Sequence, residues 1–154
     1  MESWSEGSVR KVELCWLAFF TRVMAGLLFA MAGYQKIFVL TPRMHAQKLF
    51  LEPYAATWIP GALLWLLGVT IPFVEFLGSA LLIAGWLRRP VAVALGFLLL
   101  LVTYGHALTE PFFDVTTHIL PRLLLLLPTL MLHASHDQLS TDALLARRKS
   151  GSAK

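Results

Sequence analysis

Residues 61–87 read GALLWLLGVTIPFVEFLGSALLIAGWL, and Glu75 is the only charged residue among them. A helix needs about 20 residues to cross about 30 Å of hydrocarbon, so this stretch can span a membrane with some tilt. Pro72 removes one backbone hydrogen bond and gives a cause for a bend. Apolar residues on nearly every side favour a helix over a barrel strand. The stretch therefore predicts a membrane-spanning helix.

The composition of the whole chain also indicates a membrane protein. Apolar residues make up 57% of the 154 residues and charged residues 14%, against about 45–50% and about 25% in soluble domains. The mean hydropathy is +0.68. Cys15 is the only cysteine, which excludes a disulfide scaffold and dithiol chemistry within one chain. We expect a small polytopic membrane protein.

Three other apolar blocks accompany the first, at about residues 14–38, 90–108 and 118–133. We predict an all-α membrane protein, a four-transmembrane-helix bundle that forms one membrane domain over residues 1–154. The segment between the first two spans mixes basic, apolar and aromatic residues, which suits a short helix or loop on the outer interface. A polar cytoplasmic tail, 137–154, is expected to follow the last span.

The basic residues predict the orientation of the bundle. One side of it carries Arg10, Lys11, Arg88, Arg89, Arg147, Arg148, Lys149 and Lys154. The other side carries Lys36, Arg43, Lys48 and Arg122. Because lysine and arginine accumulate on the cytoplasmic side, this distribution places both termini in the cytoplasm. The same topology explains the pI near 9.6, so we expect no nucleic-acid partner.

Two ionisable residues fall inside predicted spans, Arg22 in the first and Glu75 in the second. At 1.5 Å per residue their depths agree within error, at roughly 12 Å and roughly 9 Å from the inner boundary. A charge inside a membrane usually faces the bundle and finds a partner. We therefore predict a buried Arg22–Glu75 pair. Two interpretations remain open, a structural pair that fixes helix register and a catalytic pair in which Glu75 relays a proton.

A second group of polar residues is predicted near the outer surface, at the ends of the first, third and fourth spans. The candidate ligand-binding residues are Lys36, Tyr104, His106, His118 and Arg122, with Glu110 and Asp114 in the loop between them. A polar opening of this kind between the helix ends suits a quinone headgroup or a small anion. The alternative is a wetted rim at the helix ends. Because the chain has no HxxxH, HExxH or Cys/His spacing, we expect no metal site.

Three motifs carry a resemblance to a known family. The first span reads R-x3-G-x2-F-x3-G-x2-K from Arg22 to Lys36, and the second reads E-x2-G-x3-L-x2-G-x2-R from Glu75 to Arg88. The tail contains QLSTDALL. This pattern resembles the DoxX/DoxD family of four-helix membrane proteins over about residues 14–145. The chain departs from that pattern at the end of its fourth span and at Thr141, which interrupts the final motif.

The resemblance implies a multi-pass protein of the bacterial or archaeal cytoplasmic membrane. Some members of that family are subunits of thiosulfate:quinone oxidoreductase, and others join complexes that handle thiol or oxidative stress. The resemblance thus implies a redox-associated membrane subunit, with quinone as the candidate cofactor. A membrane or periplasmic redox protein, or a second copy of the chain, is the expected partner besides the lipid bilayer. The alternative function is a non-enzymatic assembly factor or a small proton or solute conduit.

Overall fold

The computed structural model describes residues 6–110, 115–132 and 136–151, and within these ranges every regular element is a helix. The helices are α1 (Glu6–Tyr34), α2 (Pro42–Ala46), α3 (Gly61–Ala84), α4 (Arg88–Thr109), α5 (Val115–His118), α6 (Leu120–Met131) and α7 (Thr141–Gly151). Two π-helical turns, Gln35–Val39 and Gln47–Leu51, follow α1 and α2.

Within the described residues, three stretches of helix are long and apolar enough to cross a membrane. They are Arg10–Val39 with 30 residues, Gly61–Ala84 with 24 and Arg88–Thr109 with 22. Over the described residues, the prediction of a helical protein with several membrane-length apolar helices is therefore confirmed, and this architecture is consistent with a membrane protein. The apolar helix α6 has only 12 residues, which at 1.5 Å per residue reaches about 18 Å, short of the hydrocarbon thickness.

Small residues bring α1 and α3 into close contact in an antiparallel arrangement. A Cβ atom on Gly26 would lie 2.5 Å from Ile83 Cγ1, and one on Gly33 would lie 2.7 Å from the Phe76 nitrogen. A side chain would displace the Ile83 side chain at the first position and the α3 backbone at the second, and such close approach is the usual reason for glycine at membrane helix contacts. α6 packs against α1 and α4 and completes the bundle. The buried core includes Phe29, Leu82, Leu95 and Leu126.

The segment between α1 and α3, predicted to be interfacial, folds back against the bundle. α2 contacts α3, and a Cβ on Gly68 would lie 2.6 Å from Ala46 Cα. Thr41 precedes α2 with φ 69, and its side chain accepts a hydrogen bond from the Met44 nitrogen at 3.4 Å. A positive φ is uncommon for a β-branched residue. The sharp turn at Thr41 directs α2 toward α3.

Candidate functional site

The predicted Arg22–Glu75 pair is wrong, although both residues are buried, with 1% and 3% of the whole residue exposed. Arg22 Nε donates to Asp137 Oδ2 at 2.9 Å. Glu75 instead accepts from Lys36 Nζ, at 2.8 Å to Oε1 and 2.6 Å to Oε2. The reason is helix register. α3 ends at Ala84, so Glu75 lies about 14 Å from that end, whereas Arg22 lies level with its last carbonyl groups.

One end of the bundle holds a buried group of charges, here named the Asp137 cluster, which consists of Arg22, Arg88 and Asp137. Arg88 Nη1 donates to Asp137 Oδ2 at 3.1 Å. Asp137 is fully buried, and the two arginine side chains are 1% and 4% exposed. Buried charges need partners of opposite sign, because water no longer solvates them. The carboxylate of Asp137 therefore compensates both guanidinium groups.

Arg22 also holds the end of α3. Its Nη1 donates to the carbonyl oxygens of Leu82, at 2.8 Å, and of Ile83. Its Nη2 donates to the Leu139 carbonyl at 3.3 Å. The last carbonyl groups of a helix lack intrahelical partners and carry partial negative charge, so a buried cation stabilises them. Arg22 thus joins α1, the end of α3 and the chain after α6.

The chain after α6 is docked onto the junction between α3 and α4. Asp142 accepts hydrogen bonds from the backbone nitrogens of Leu87 and Arg88, both at 3.1 Å, and so caps α4. Thr141 Oγ1 donates to the Ala84 carbonyl at 2.6 Å. The junction itself is tight, since Gly85 has φ 71. The Asp137 cluster and these caps form a structural closure for this end of the bundle.

The opposite end of the bundle holds a cavity of about 420 Å³. It lies between residues 45–59, α3 and the end of α4. A Cβ on Gly105 of α4 would lie 2.8 Å from Tyr54 Oη, so that glycine lets the tyrosine approach α4. The cavity is lined by Lys36, His45, Leu49, Phe50, Pro53, Tyr54, Trp58, Ile59, Leu63, Leu64, Leu67, Ile71, Leu101, Val102, Tyr104, Gly105, His106, Leu108, Thr109 and Glu110. Its walls are mainly apolar, with a few polar groups among them.

Lys36 connects the cavity to the buried carboxylate of Glu75. Lys36 lies in the π-helical turn that continues α1, and such turns occur frequently at functional sites. Its side chain is 25% exposed, whereas that of Glu75 is 4% exposed. The ammonium group can therefore present a proton to a ligand while Glu75 supports its positive charge. We name these two residues and the lining of the cavity the Lys36 pocket.

His45 is the most deeply buried polar residue of the Lys36 pocket, with 2% exposure. Its Nδ1 lies 2.6 Å from the Gly68 carbonyl oxygen, and because a carbonyl can only accept, Nδ1 carries the proton. Burial lowers the pKa of His45, and the positive charge of Lys36 lowers it further against the opposing effect of the Gly68 hydrogen bond. The imidazole is therefore neutral at pH 7.

The structure brings together three of the predicted ligand-binding residues. Lys36, Tyr104 and His106 all line the pocket. Arg122 is not part of the lining, and its guanidinium carbon lies 5.6 Å from the centre of the Phe29 ring, inside the bundle. His118 is the last residue of α5, but its side chain lies outside the described residues, as does all of Asp114.

Sequence reasoning missed two residues, His45 and Asp137. The first was assigned to the interface and the second to the polar tail, whereas both are buried. Arg22 and Arg88 are two cations near one end of the bundle, and their need for a carboxylate was the signal for Asp137. No comparable signal marks His45, since its burial depends on α2 folding back. Within residues 6–110, 115–132 and 136–151, no group of three or more His, Cys, Asp or Glu residues could hold a metal ion.

Comparison with known proteins identifies the family of the chain. No curated protein and no solved structure matches the chain. The sequence model of the DoxX family matches residues 17–109, which is more than half of the chain. The matched region contains Lys36, His45 and Glu75, together with Arg22 and Arg88 of the Asp137 cluster. The chain belongs to the DoxX family.

Proposed function

We propose that this protein is the quinone-binding membrane subunit of a redox system that oxidises a thiol or a sulfur anion such as thiosulfate. The observation that carries the proposal is the Lys36 pocket, in which an ammonium group supported by Glu75 meets a largely apolar cavity. A quinone offers the matching chemistry, since it has carbonyl oxygens that accept hydrogen bonds on a flat apolar ring.

The size and position of the cavity support this ligand. Pockets for small ligands and cofactors commonly have volumes of about 300–1,000 Å³, and the cavity measures about 420 Å³. Aromatic side chains in its lining, Phe50, Tyr54 and Trp58, offer flat surfaces for a ring. Trp58 is 78% exposed, and Leu63 and Tyr104 are also exposed. In a bilayer these residues form a rim through which an isoprenoid tail can extend into lipid.

The proposed topology has four spans. α5 and α6 together cover residues 115–131, which at 1.5 Å per residue corresponds to about 26 Å and so approaches the hydrocarbon thickness. The excess of lysine and arginine at the Asp137 end supports cytoplasmic termini in a bacterial or archaeal cytoplasmic membrane. The Lys36 pocket then lies toward the outer surface, where a periplasmic or membrane partner, or a second copy of the chain, can approach it.

We place the partner in the path of electron transfer. Cys15 is the only cysteine, so the chain alone cannot carry electrons through an internal dithiol–disulfide pair. In the proposed arrangement the partner oxidises the sulfur compound and the Lys36 pocket holds the quinone that accepts the electrons. The protein therefore contributes the membrane-embedded half of the reaction.

The alternative function of a proton conduit receives less support. A conduit needs polar groups from one end of the bundle to the other. Between the Lys36–Glu75 pair and the Asp137 cluster, the buried core contains the apolar residues Ala25, Phe29 and Leu82. The guanidinium of Arg122 lies over the Phe29 ring at the same level, and a fixed positive charge opposes the passage of a proton. Ser79 is buried there as well, but its hydroxyl group donates a hydrogen bond to the Phe76 carbonyl oxygen at 2.7 Å, within its own helix.

The test measures quinone binding directly. Protein purified in mild detergent with its native lipids is extracted and analysed for quinone, and is also titrated with a decyl-tailed benzoquinone. Fluorescence of Trp58 reports binding, and a Trp58→Phe variant identifies its share of the signal. We expect saturable quenching in the wild type. Absence of both native quinone and saturable binding would overturn the proposal.

A matched pair of variants tests the role of Lys36. The double variant Lys36→Met/Glu75→Gln removes the charges together, and we expect it to bind the benzoquinone about tenfold more weakly or worse, because a hydrogen bond from a charged donor is lost. Lys48→Met is the control, since Lys48 is an exposed lysine of the same segment outside the cavity lining. Equal affinities in the double variant and the control would contradict the assignment.

A further inference from the structure

We propose that His45 makes the Lys36 pocket bind the reduced, hydroxyl-bearing form of the quinone more tightly than the oxidised form. His45 does so by accepting a hydrogen bond at Nε2 from a hydroxyl group of the quinol. This inference rests on the proposed function and assigns a specificity-determining role within it. It concerns a residue that neither the sequence motifs nor the charge pattern singled out.

The hydrogen bond at Nδ1 determines what Nε2 can do. Since Nδ1 donates its proton to the Gly68 carbonyl at 2.6 Å, Nε2 of the neutral ring carries a lone pair and can only accept. Gly68 lies inside α3, so the tie anchors the ring to a membrane-length helix. Phe50 packs beside it, with ring centroids 5.4 Å apart. The tautomer and the orientation of His45 are thus both held.

The acceptor of His45 is available to a ligand. His45 lines the cavity, and within the described part of the chain its only hydrogen bond is the one to Gly68. Nε2 therefore has no hydrogen-bond partner among the described residues. The cavity is the accessible space that His45 lines.

Lys36 and His45 therefore offer opposite chemistry to the same ligand. The ammonium of Lys36 donates hydrogen bonds, and either a carbonyl oxygen or a hydroxyl oxygen can accept one. Nε2 of His45 can only accept a hydrogen bond. A quinone has no donor to offer it, whereas each hydroxyl group of a quinol can donate. A bound quinone would leave Nε2 in the cavity without a hydrogen bond, which costs free energy in an apolar site. The quinol satisfies both residues at once.

This preference favours reduction of the bound quinone. Reduction adds two electrons and two protons and converts both carbonyl oxygens into hydroxyl groups. Two thiols that join in a disulfide, through the partner protein of the proposed function, release the same electrons and protons. Tighter binding of the quinol raises the reduction potential of the bound couple, by about 30 mV for a tenfold preference. The pocket would thus draw electrons from the sulfur donor to the quinone.

Two variants of His45 separate its two nitrogens. In His45→Asn the side-chain amide can reproduce the Nδ1 donor to Gly68 but leaves no acceptor at the Nε2 position. In His45→Gln the longer side chain can place its amide oxygen near the Nε2 position. Affinities for decyl-tailed benzoquinone and its quinol are measured anaerobically for each protein. We expect the wild type to prefer the quinol about threefold to tenfold, His45→Gln to keep a preference, and His45→Asn to lose it.

A ligand without hydroxyl groups tests the same point without any mutation. The dimethyl ether of the quinol keeps the ring and the tail but cannot donate, so we expect the wild type to bind it no more tightly than the quinone. This measurement decides the matter if His45→Asn does not fold. If the wild type binds quinone, quinol and ether equally well, the role of His45 is wrong while the quinone pocket stands. If the wild type binds none of them, the proposed function fails and this inference with it.

Discussion

The two ends of the helix bundle differ in how their buried charges are paired. At the Asp137 cluster, two arginines share one carboxylate, and Arg22 also donates to carbonyl groups of α3 and of the chain after α6. At the Lys36 pocket, one lysine pairs with Glu75 beside an open cavity, and the lysine remains partly exposed. The first arrangement connects helices, whereas the second leaves a charged group available to a ligand.

This contrast distinguishes a structural cluster from a candidate ligand site by the geometry of its hydrogen bonds. The planar guanidinium of Arg22 donates to partners in two segments of the chain, the end of α3 and the chain after α6, and so fixes their positions relative to α1. The ammonium of Lys36 has three donor protons, and among the described residues it donates to Glu75 alone, so a donor remains for another molecule. We therefore expect substitutions at the first end to affect folding and those at the second to affect binding more than folding.

The largest effect is expected from Asp137→Ala. It leaves the charges of Arg22 and Arg88 buried without their carboxylate, and breaking a buried ion pair in this way costs about 3–5 kcal/mol. We expect a large drop in the thermal unfolding temperature of the protein in detergent. Gln138→Ala is the control, because Gln138 is the exposed neighbour. Equal unfolding temperatures for the two variants would show that the cluster does not hold the bundle together.

The second prediction concerns the junction that the cluster closes. A Cβ on Gly85 would lie 2.6 Å from Ser140 Cβ and 2.9 Å from its Cα, and Gly85 has φ 71. Gly85→Ala therefore forces the docked chain away from α3, at a cost of about 1–3 kcal/mol. In Gly96→Ala the new Cβ meets nothing within 4 Å, so stability should change by less than about 1 kcal/mol. Unfolding experiments on both variants measure the difference, and a similar loss in both would contradict the docking.

The three long apolar helices and the burial of Arg22 and Glu75 were predictable from the sequence, but the pairing of these charges and the burial of Asp137 were not. The apolar stretch around Glu75 predicts a long helix because membrane crossing imposes a length and an apolar surface. Pairing depends on the offset between two helices, and a shift of a few residues replaces one partner by another. The offset of α1 and α3 is set by contacts such as Gly33 against Phe76, which no spacing rule specifies. His45 was missed for a related reason, since its burial requires a turn at Thr41.

The third prediction tests the ion pair of the Lys36 pocket by its effect on stability. Lys36→Met leaves the carboxylate of Glu75 buried without its partner, so we expect a loss of about 1–3 kcal/mol, less than at Asp137, because Lys36 is partly exposed. Adding Glu75→Gln should restore much of that loss by removing the uncompensated charge. Unfolding of the wild type, the two single variants and the double variant gives the coupling energy of the pair. Additive losses would indicate that the two residues do not interact.

The smallest effect is expected from the titration of His45. Burial lowers its pKa in the folded protein below the ordinary value of 6.5, so the unfolded chain binds more protons than the folded one as the pH falls below about 6.5. The contribution of His45 to stability is therefore fully present above that pH and is lost as the pH approaches the lowered value. Other titratable groups around the cavity are Lys36, Tyr54, Tyr104, His106 and Glu110, and they remain in His45→Asn. Comparing the pH dependence of unfolding between the wild type and this variant isolates His45. An identical slope between pH 5 and 7 in both proteins would mean that the imidazole is not held neutral in the pocket.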